Sequence, residues 1–341
     1  MKSLVIDIRK GGFGDNWMRL AAFYSVAALH PKLSLRVIIS EKLLRIAKHT
    51  FGDRIEFDIK EDARAVSYDS RGLRDLIPLI IKGRRFAAPY HRGGMLSKSR
   101  WTLKDRVNTS IFTLCDWLGF VHLTPWAAYS QYQGYVEAVT LAPFRRLTVA
   151  EYWAQAQADY PVIKAKLEGE VPCSPELVVS EDLHGVTLVF PTGTGRQFIP
   201  LWWARENLPD ACYAFFCKDP DLRLFAEAGL RTVAFYAEPG DIIALARAAH
   251  WTLTTDSFPS HVLQYASERT TVLLTEHTRR STVTACFGGK VIEATAPCHP
   301  CPHLERKGFP LCKAGHAECI NWLSPYYTQA VKMSAASSFL L

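Results

Sequence analysis

Apolar residues in this chain fall into short runs, and between the runs they recur at helical spacing. Leu4-Val5-Ile6-Asp7-Ile8 is a run of buried-strand type. A glycine loop and a helix-like stretch from Trp17 to Leu29 follow it, closed by His30-Pro31. Leu35-Arg36-Val37-Ile38-Ile39 predicts a second strand, Glu41 to His49 a helix, and Arg54-Ile55-Glu56-Phe57-Asp58 a third strand. Alternation of this kind implies a parallel sheet with helices on both faces. From Arg71 to Tyr135 the pattern is less regular, with an aromatic, mostly helical continuation through Trp117, Phe120, Trp126, Tyr129, Tyr132 and Tyr135. Around Glu168 to Glu181 charges and prolines replace any period, as in a linker.

A second series begins at Val186-Thr187-Leu188-Val189-Phe190. Strands are predicted again at Cys212 to Cys217, Thr232 to Tyr236, Trp251 to Thr255 and Thr271 to Leu274. Helices are predicted over Leu201 to Asn207, Asp221 to Ala228, Asp241 to Ala248 and Pro259 to Ala266. At 341 residues the chain has room for two domains of ordinary size. The expected fold class is therefore α/β, with two Rossmann-like domains. Residues 1–170 form the first and 180–325 the second, and 326–341 form a C-terminal helix or tail. The halves resemble each other in architecture only, with no short internal repeat.

Three strand-to-helix junctions carry candidate chemistry, because open α/β sheets bind ligands beyond the carboxyl ends of their strands. In Gly11-Gly12-Phe13-Gly14-Asp15 the glycines permit a tight turn and a close ligand approach. Asp15 reads either as a helix-capping residue or as a general base that takes a proton from an attacking hydroxyl. In Phe190-Pro191-Thr192-Gly193-Thr194-Gly195-Arg196-Gln197 the small hydroxyl residues and glycines offer donors to a nucleotide. Arg196 adds a fixed positive charge for phosphate; the alternative is a glycine-containing surface turn. The lysine-plus-serine ending of a P-loop is missing, so ATPase chemistry has no support.

The third junction is Asp256-Ser257-Phe258-Pro259-Ser260-His261. Asp256 or Ser257 can cap a helix, and Pro259 suits its first turn. Such a helix would aim amides at a diphosphate and favour its departure. His261, one turn in, is either a phosphate or sugar contact or a histidine packed on the sheet. Asp219-Pro220-Asp221 has the form of a cation-binding pair, but it opens a helix, where acids and proline are ordinary. We read it as structural, which leaves phosphate neutralisation to Arg196 and helix dipoles and implies a metal-independent reaction. A carboxylate in one lobe and a phosphate grip in the other are the arrangement of a two-lobed glycosyltransferase.

Charge adds a partner. The net charge is +7, and Lys82, Arg84, Arg85, Arg92, Lys98, Arg100, Lys104 and Arg106 stand against Asp105 alone. That segment equals the whole excess, and it suits an anionic glycan, lipid or protein acceptor; the alternative is a solvated loop. No aromatic-rich RNA-binding signature accompanies it, so no nucleic-acid partner is expected. Gly12, Arg84, Arg92, Lys98 and Arg100 are the candidate acceptor contacts. No apolar run approaches the ~20 residues of a membrane span, and no signal-peptide pattern opens the chain. The expected location is cytoplasmic, with peripheral contact at the inner membrane.

Five of the nine cysteines (Cys115, Cys173, Cys212, Cys217, Cys286) are scattered, mostly among apolar neighbours, and read as small buried hydrophobes. The other four form Cys298-x2-Cys301-x10-Cys312-x6-Cys319, a spacing typical of a structural zinc or iron site. His299, His303 and His316 lie nearby as substitute ligands.

The ensemble resembles glycosyltransferase family 9, the ADP-heptose:lipopolysaccharide heptosyltransferase group. The matching elements are Gly14-Asp15 after a strand, then Asp256-Ser257-x-x-Ser260-His261. Cys298-Pro-x-Cys301 with Cys312, Gly315-His316, Cys319 and Ser324-Pro325 completes them. The resemblance implies the GT-B fold, two Rossmann-like domains facing across a cleft, and an inverting, metal-independent transfer from a nucleotide diphospho-sugar. It makes Asp15 the general base and Arg196 the phosphate-binding residue. Thr192, Gly193, Thr194, Gln197, Asp256, Ser257, Phe258 and His261 become donor contacts. The expected reaction moves a sugar, heptose from ADP-heptose first among candidates, onto an anionic acceptor such as lipopolysaccharide inner core. Phe258 stands where the family commonly has glycine, and Phe13 and Asn16-Trp17 where smaller aliphatic residues are frequent. Two alternatives stay open: a protein-glycosylating heptosyltransferase, whose cysteine cluster holds iron, and a non-catalytic relative that binds a nucleotide sugar.

Overall fold

The computed structural model describes residues 2–9, 12–62, 65–68, 86–90, 121–125, 149–192, 199–274 and 279–293. The chain divides into two units, Met1–Ile163 and Lys164–Leu341. The first holds strands β1 (Lys2–Asp7), β2 (Leu33–Ile38), β3 (Glu56–Asp58), β4 (Val66–Tyr68), β5 (Phe86–Tyr90) and β6 (Val121–Pro125). They form one sheet in the order β3-β2-β1-β4-β5-β6, and every pairing is parallel. β1 is central, with Asp7 opposite Ile38 on one side and Ser67 on the other.

Helix α1 (Phe13–Leu29) connects β1 to β2 and is buried continuously from Asn16 to Ala27. Trp17 and Tyr24 both pack on Phe51 of α2 (Glu41–Phe51), with ring centroids 5.2 and 5.6 Å apart. Burying one such side chain stabilises the fold by roughly 1.5–3 kcal/mol. That explains a difference from the expected start at Trp17. Gly14 costs about 1 kcal/mol in a helix, and the packing of the next turns outweighs it, so the helix begins at Phe13. Gly12 is the N-cap residue, and Asp15 lies inside the first turn rather than at the cap.

β5 and β6 fall in the stretch whose pattern was irregular, and β4 lies just before it. β4 is three residues long, too short to alternate. β5 contains Pro89, which cannot donate to a ladder and argues against an interior strand. Even so, β5 lies between β4 and β6.

Helix α3 (Val149–Glu168) carries the division between the units, earlier than the linker expected from composition. In unit 1 its Asp159 accepts hydrogen bonds from Arg54 Nη1 at 2.7 Å and Gln155 Nε2 at 3.0 Å. In unit 2 its Lys164 pairs with Glu268 at 2.5 Å.

Unit 2 repeats the architecture. Its strands are β7 (Thr187–Phe190), β8 (Cys212–Phe216), β9 (Arg231–Phe235), β10 (Trp251–Thr255), β11 (Thr270–Leu274) and β12 (Lys290–Glu293). Their order is β12-β11-β10-β7-β8-β9, again parallel throughout. The helices are α4 (Leu201–Asn207), α5 (Pro220–Glu227), α6 (Gly240–Ala248), α7 (Phe258–Ala266) and α8 (Arg279–Thr282). Trp203 of α4, Tyr213 and Phe215 of β8, and Phe225 of α5 share one buried cluster.

Part of the expected linker is packed rather than loose. Val171 and Ser174 are each 8% exposed. Asp241, 0% exposed, accepts the amides of Ser174 at 2.7 Å and Tyr236 at 2.8 Å. A Cβ on Gly240 would stand 2.0 Å from the Pro172 carbonyl oxygen, so only glycine admits this approach.

Candidate functional site

Both sheets reverse their strand order beside their first strand, between β1 and β4 in unit 1 and between β7 and β10 in unit 2. In a parallel sheet the connections leave in opposite directions at that point and open a crevice beyond the carboxyl ends of the strands. The glycine loop with Asp15 leaves β1, at the first reversal. Pro191-Thr192 leaves β7 and Asp256-Ser257 leaves β10, the two strands that flank the second. Phe190 and Thr254 are register partners, so these last two loops start from neighbouring positions.

At the first reversal the chain turns out of β1 through Asp7, whose carboxylate holds Arg9. Oδ1 accepts the Arg9 amide and Nε, both at 3.0 Å, and Oδ2 accepts Nη2 at 2.6 Å. These bonds hold the Arg9 guanidinium more strongly protonated than usual. The pair went unremarked in the sequence, although an acid ending a strand two residues before an arginine was visible there. Gly12 is exposed and Asp15 half-buried. A Cβ on Gly12 would lie 3.4 Å from Asp15 Oδ2, so the carboxylate folds back over the turn. Asn16 and Trp17 are 0% exposed and belong to the packed interior, not to a ligand surface. Asn16 Oδ1 accepts Arg19 Nη1 at 2.9 Å, a second polar pair that the sequence did not reveal.

At the second reversal Thr192 Oγ1 donates to Asp219 Oδ2 at 3.2 Å. Asp219 is also the N-cap of α5, its Oδ1 accepting the Asp221 amide at 3.0 Å. Burial, and Asp219 beside it, push the Asp221 carboxyl up from its ordinary value. Asp219 thus caps α5 and also anchors Thr192, in the loop that leaves β7.

Ser257 is the N-cap of α7 by position, but its hydroxyl does not cap. It donates instead to the Thr255 carbonyl at 3.3 Å. The Ser257 amide bonds to Thr255 O at 2.8 Å and the Ser260 amide to Ser257 O at 3.0 Å, while Pro259 has none. This helix end therefore offers an anion fewer backbone donors than its sequence implied. Asp256 and His261 are 3% and 7% exposed, beneath the surface that a ligand would meet, whereas Phe258 is half-buried.

Gly193, Thr194, Arg196 and Gln197 lie outside the described residues, as do Arg84, Arg92, Lys98 and Arg100 and the cluster Cys298, Cys301, Cys312 and Cys319. Of the basic segment, β5 is described; the chain leaves it at Tyr90, at the same carboxyl end of the parallel strands from which the Gly12 loop leaves β1. No helix among the described residues is long and apolar enough to cross a membrane.

No family model and no curated protein matches the sequence. Among solved structures, a glycosyl transferase family 9 protein from Veillonella parvula aligns over 99% of this chain and 97% of its own, with TM-score 0.50 and 13% identity. E. coli ADP-heptose lps heptosyltransferase II aligns over 100% and 99% of the two chains, with TM-score 0.49 and 17% identity. An E. coli heptosyltransferase with ADP-2-deoxy-2-fluoro heptose covers 87% of this chain and 94% of its own at TM-score 0.48 and 12% identity. With a Rossmann-like sheet in each half, the chain has the α/β fold of the Veillonella family 9 glycosyltransferase structure along nearly its whole length.

Proposed function

We propose that the protein is an inverting, metal-independent glycosyltransferase that takes a sugar from a nucleotide diphospho-sugar. The observation that carries this reading is topological. Loops chosen from the sequence for their chemistry leave strands at the order reversal of each sheet, where such sheets bind ligands. Unit 1 contributes a half-buried carboxylate on an exposed turn, and unit 2 a threonine loop beside a helix N-terminus.

Asp15 takes the proton of the acceptor hydroxyl as that oxygen attacks the anomeric carbon, opposite the bond to the diphosphate. The electrons of the breaking glycosidic bond leave with the nucleoside diphosphate. Arg196 and the start of α7 stabilise the departing charge. Both Asp219 oxygens accept hydrogen bonds within unit 2, which favours a capping role over cation binding. The donor we propose is ADP-heptose, and the acceptor an anionic inner-core glycan drawn in by the basic segment.

The test supplies purified protein with ADP-, UDP- and GDP-linked sugars and a deacylated, heptose-free core oligosaccharide. It measures nucleoside diphosphate release and glycan mass. Asp15→Asn should lower turnover by about 10²–10⁴-fold and still show donor binding as a rise in melting temperature. Turnover by this variant within a few-fold of the wild type would rule out Asp15 as the base.

A further inference from the structure

We propose that Arg279 binds the diphosphate of the donor and stabilises it as it leaves, and that Gln264 is the positioning residue that holds Arg279 in place. The inference rests on the transferase reading and adds to it a second cation and the tie that presents it.

The start of α7 is short of donors. Pro259 has no amide hydrogen, and the amides of Ser257 and Ser260 are taken by Thr255 O and Ser257 O. A diphosphate that accepts the electron pair of the breaking glycosidic bond gains charge, which preorganised donors or cations must meet. The next connection along the sheet supplies one. β10 passes through α7 to β11, and β11 passes through α8 to β12, each strand pairing in parallel with the one before. Such crossovers are right-handed, so two that step in the same direction lie on the same face of the sheet. That makes α8 the neighbour of α7, and Arg279 is its first residue.

Gln264 of α7 ties the two together. It is 2% exposed; its Nε2 donates to Thr282 O at 3.0 Å and its Oε1 accepts the Thr284 amide at 2.7 Å. Between those residues Val283 is buried in a cluster with Val272 and Leu274 of β11. The Val283 amide bonds to Arg279 O at 3.0 Å, one helical turn earlier. The chain leaves β11 at Leu274, on the carboxyl edge, and has to reach the opposite edge at Lys290, the register partner of Thr271. Arg279 precedes the clamped residues on that path, so it stands nearer than they do to the edge from which Asp256 and Ser257 leave β10. An exposed arginine is ordinary on a protein surface. This one is exposed on a backbone fixed from two sides, beside a helix end whose donors are spent. A helix of four residues adds no dipole of note, so the charge is that of the guanidinium, whose paired N–H groups match phosphate oxygens.

The test titrates wild type, Arg279→Ala, Arg279→Lys, Gln264→Leu and the variant carrying both Arg279→Ala and Gln264→Leu. The ligands are ADP, UDP and GDP and the matching nucleosides, the weak ones by displacement. For the tightest diphosphate, Arg279→Ala should weaken binding about tenfold and leave its nucleoside unchanged. Lysine should recover part of the loss, because an ammonium keeps the charge but not the fork. Gln264→Leu should weaken the diphosphate in the protein that has Arg279 and add nothing in Arg279→Ala, a coupling that a merely structural loss does not produce. With ADP-heptose and the deacylated core oligosaccharide, Arg279→Ala should lower kcat by about ten- to a hundredfold. A diphosphate affinity within twofold of wild type in Arg279→Ala overturns the inference, as does an equal loss for the nucleoside or an unchanged kcat. Additive losses in the double variant overturn the role of Gln264. A wild type that binds a diphosphate but transfers no sugar overturns the transferase reading, while the titrations still decide Arg279. A wild type that binds none of the three diphosphates overturns both.

Discussion

Replacing Asp241 by alanine removes two hydrogen bonds that hold unrelated segments together. Its carboxylate accepts the Ser174 amide at 2.7 Å from the segment leading out of α3, and the Tyr236 amide at 2.8 Å beyond β9. Asp241 is 0% exposed and Ser174 8% exposed, so water cannot replace the lost acceptor without opening the structure. A hydrogen bond to a charged group has a net worth of roughly 1.5–3 kcal/mol, and an orphaned buried donor keeps its desolvation penalty. Two such bonds imply a loss of about 3–6 kcal/mol. Asparagine offers one acceptor oxygen and turns an N–H₂ toward an N–H, so Asp241→Asn should recover less than half of it.

Urea unfolding followed by fluorescence and circular dichroism measures the effect. With a slope of about 2 kcal/mol per molar, the alanine midpoint should fall by about 1.5–3 M. Amide exchange should accelerate at Ser174 and Tyr236 before it does in β7 or β10, since the tie is local. A midpoint shift below about 0.5 M in the alanine variant would refute the assignment of Asp241 as the clamp.

Two further predictions concern β8, β10 and β11. Thr252 and Thr270 are register partners and 0% exposed, and neither hydroxyl has a hydrogen-bond partner. Thr252→Val with Thr270→Val keeps the shape and removes two orphan groups, so stability should rise by about 1–2 kcal/mol; a lower urea midpoint would contradict this. Burial pushes the Cys212 thiol from 9.0 up to about 11. The folded thiol keeps its proton while the unfolded one ionises, so this stability is full below pH 9 and is lost as pH rises toward about 11. Cys212→Ala should show a shallower decline than wild type across that window, and parallel curves would remove Cys212 as the cause.

The sequence by itself determined the class of fold and the junctions worth watching. Strand and helix periods are local properties, set by which face of a short segment must leave water. They survive in Leu4–Ile8, in Val186–Phe190 and in the loops at Asp15, Thr192 and Asp256 without any knowledge of neighbours. Pairing is not local. Only the tertiary structure placed β1 against β4 and β7 against β10, and so put three loops at the order reversals. It also recovered β5, whose Pro89 argues locally against an interior strand. Depth, too, was decided by packing from distant elements. The same stretch of sequence sends Trp17 against Phe51 and leaves Phe13 at the surface. In the second unit, packing buries Asp256 and His261, which their residue types would place on a ligand, and the Ser257 hydroxyl turns from the helix to Thr255. Residue type states what chemistry a side chain can perform; the surrounding chain decides whether that side chain meets a ligand or the core.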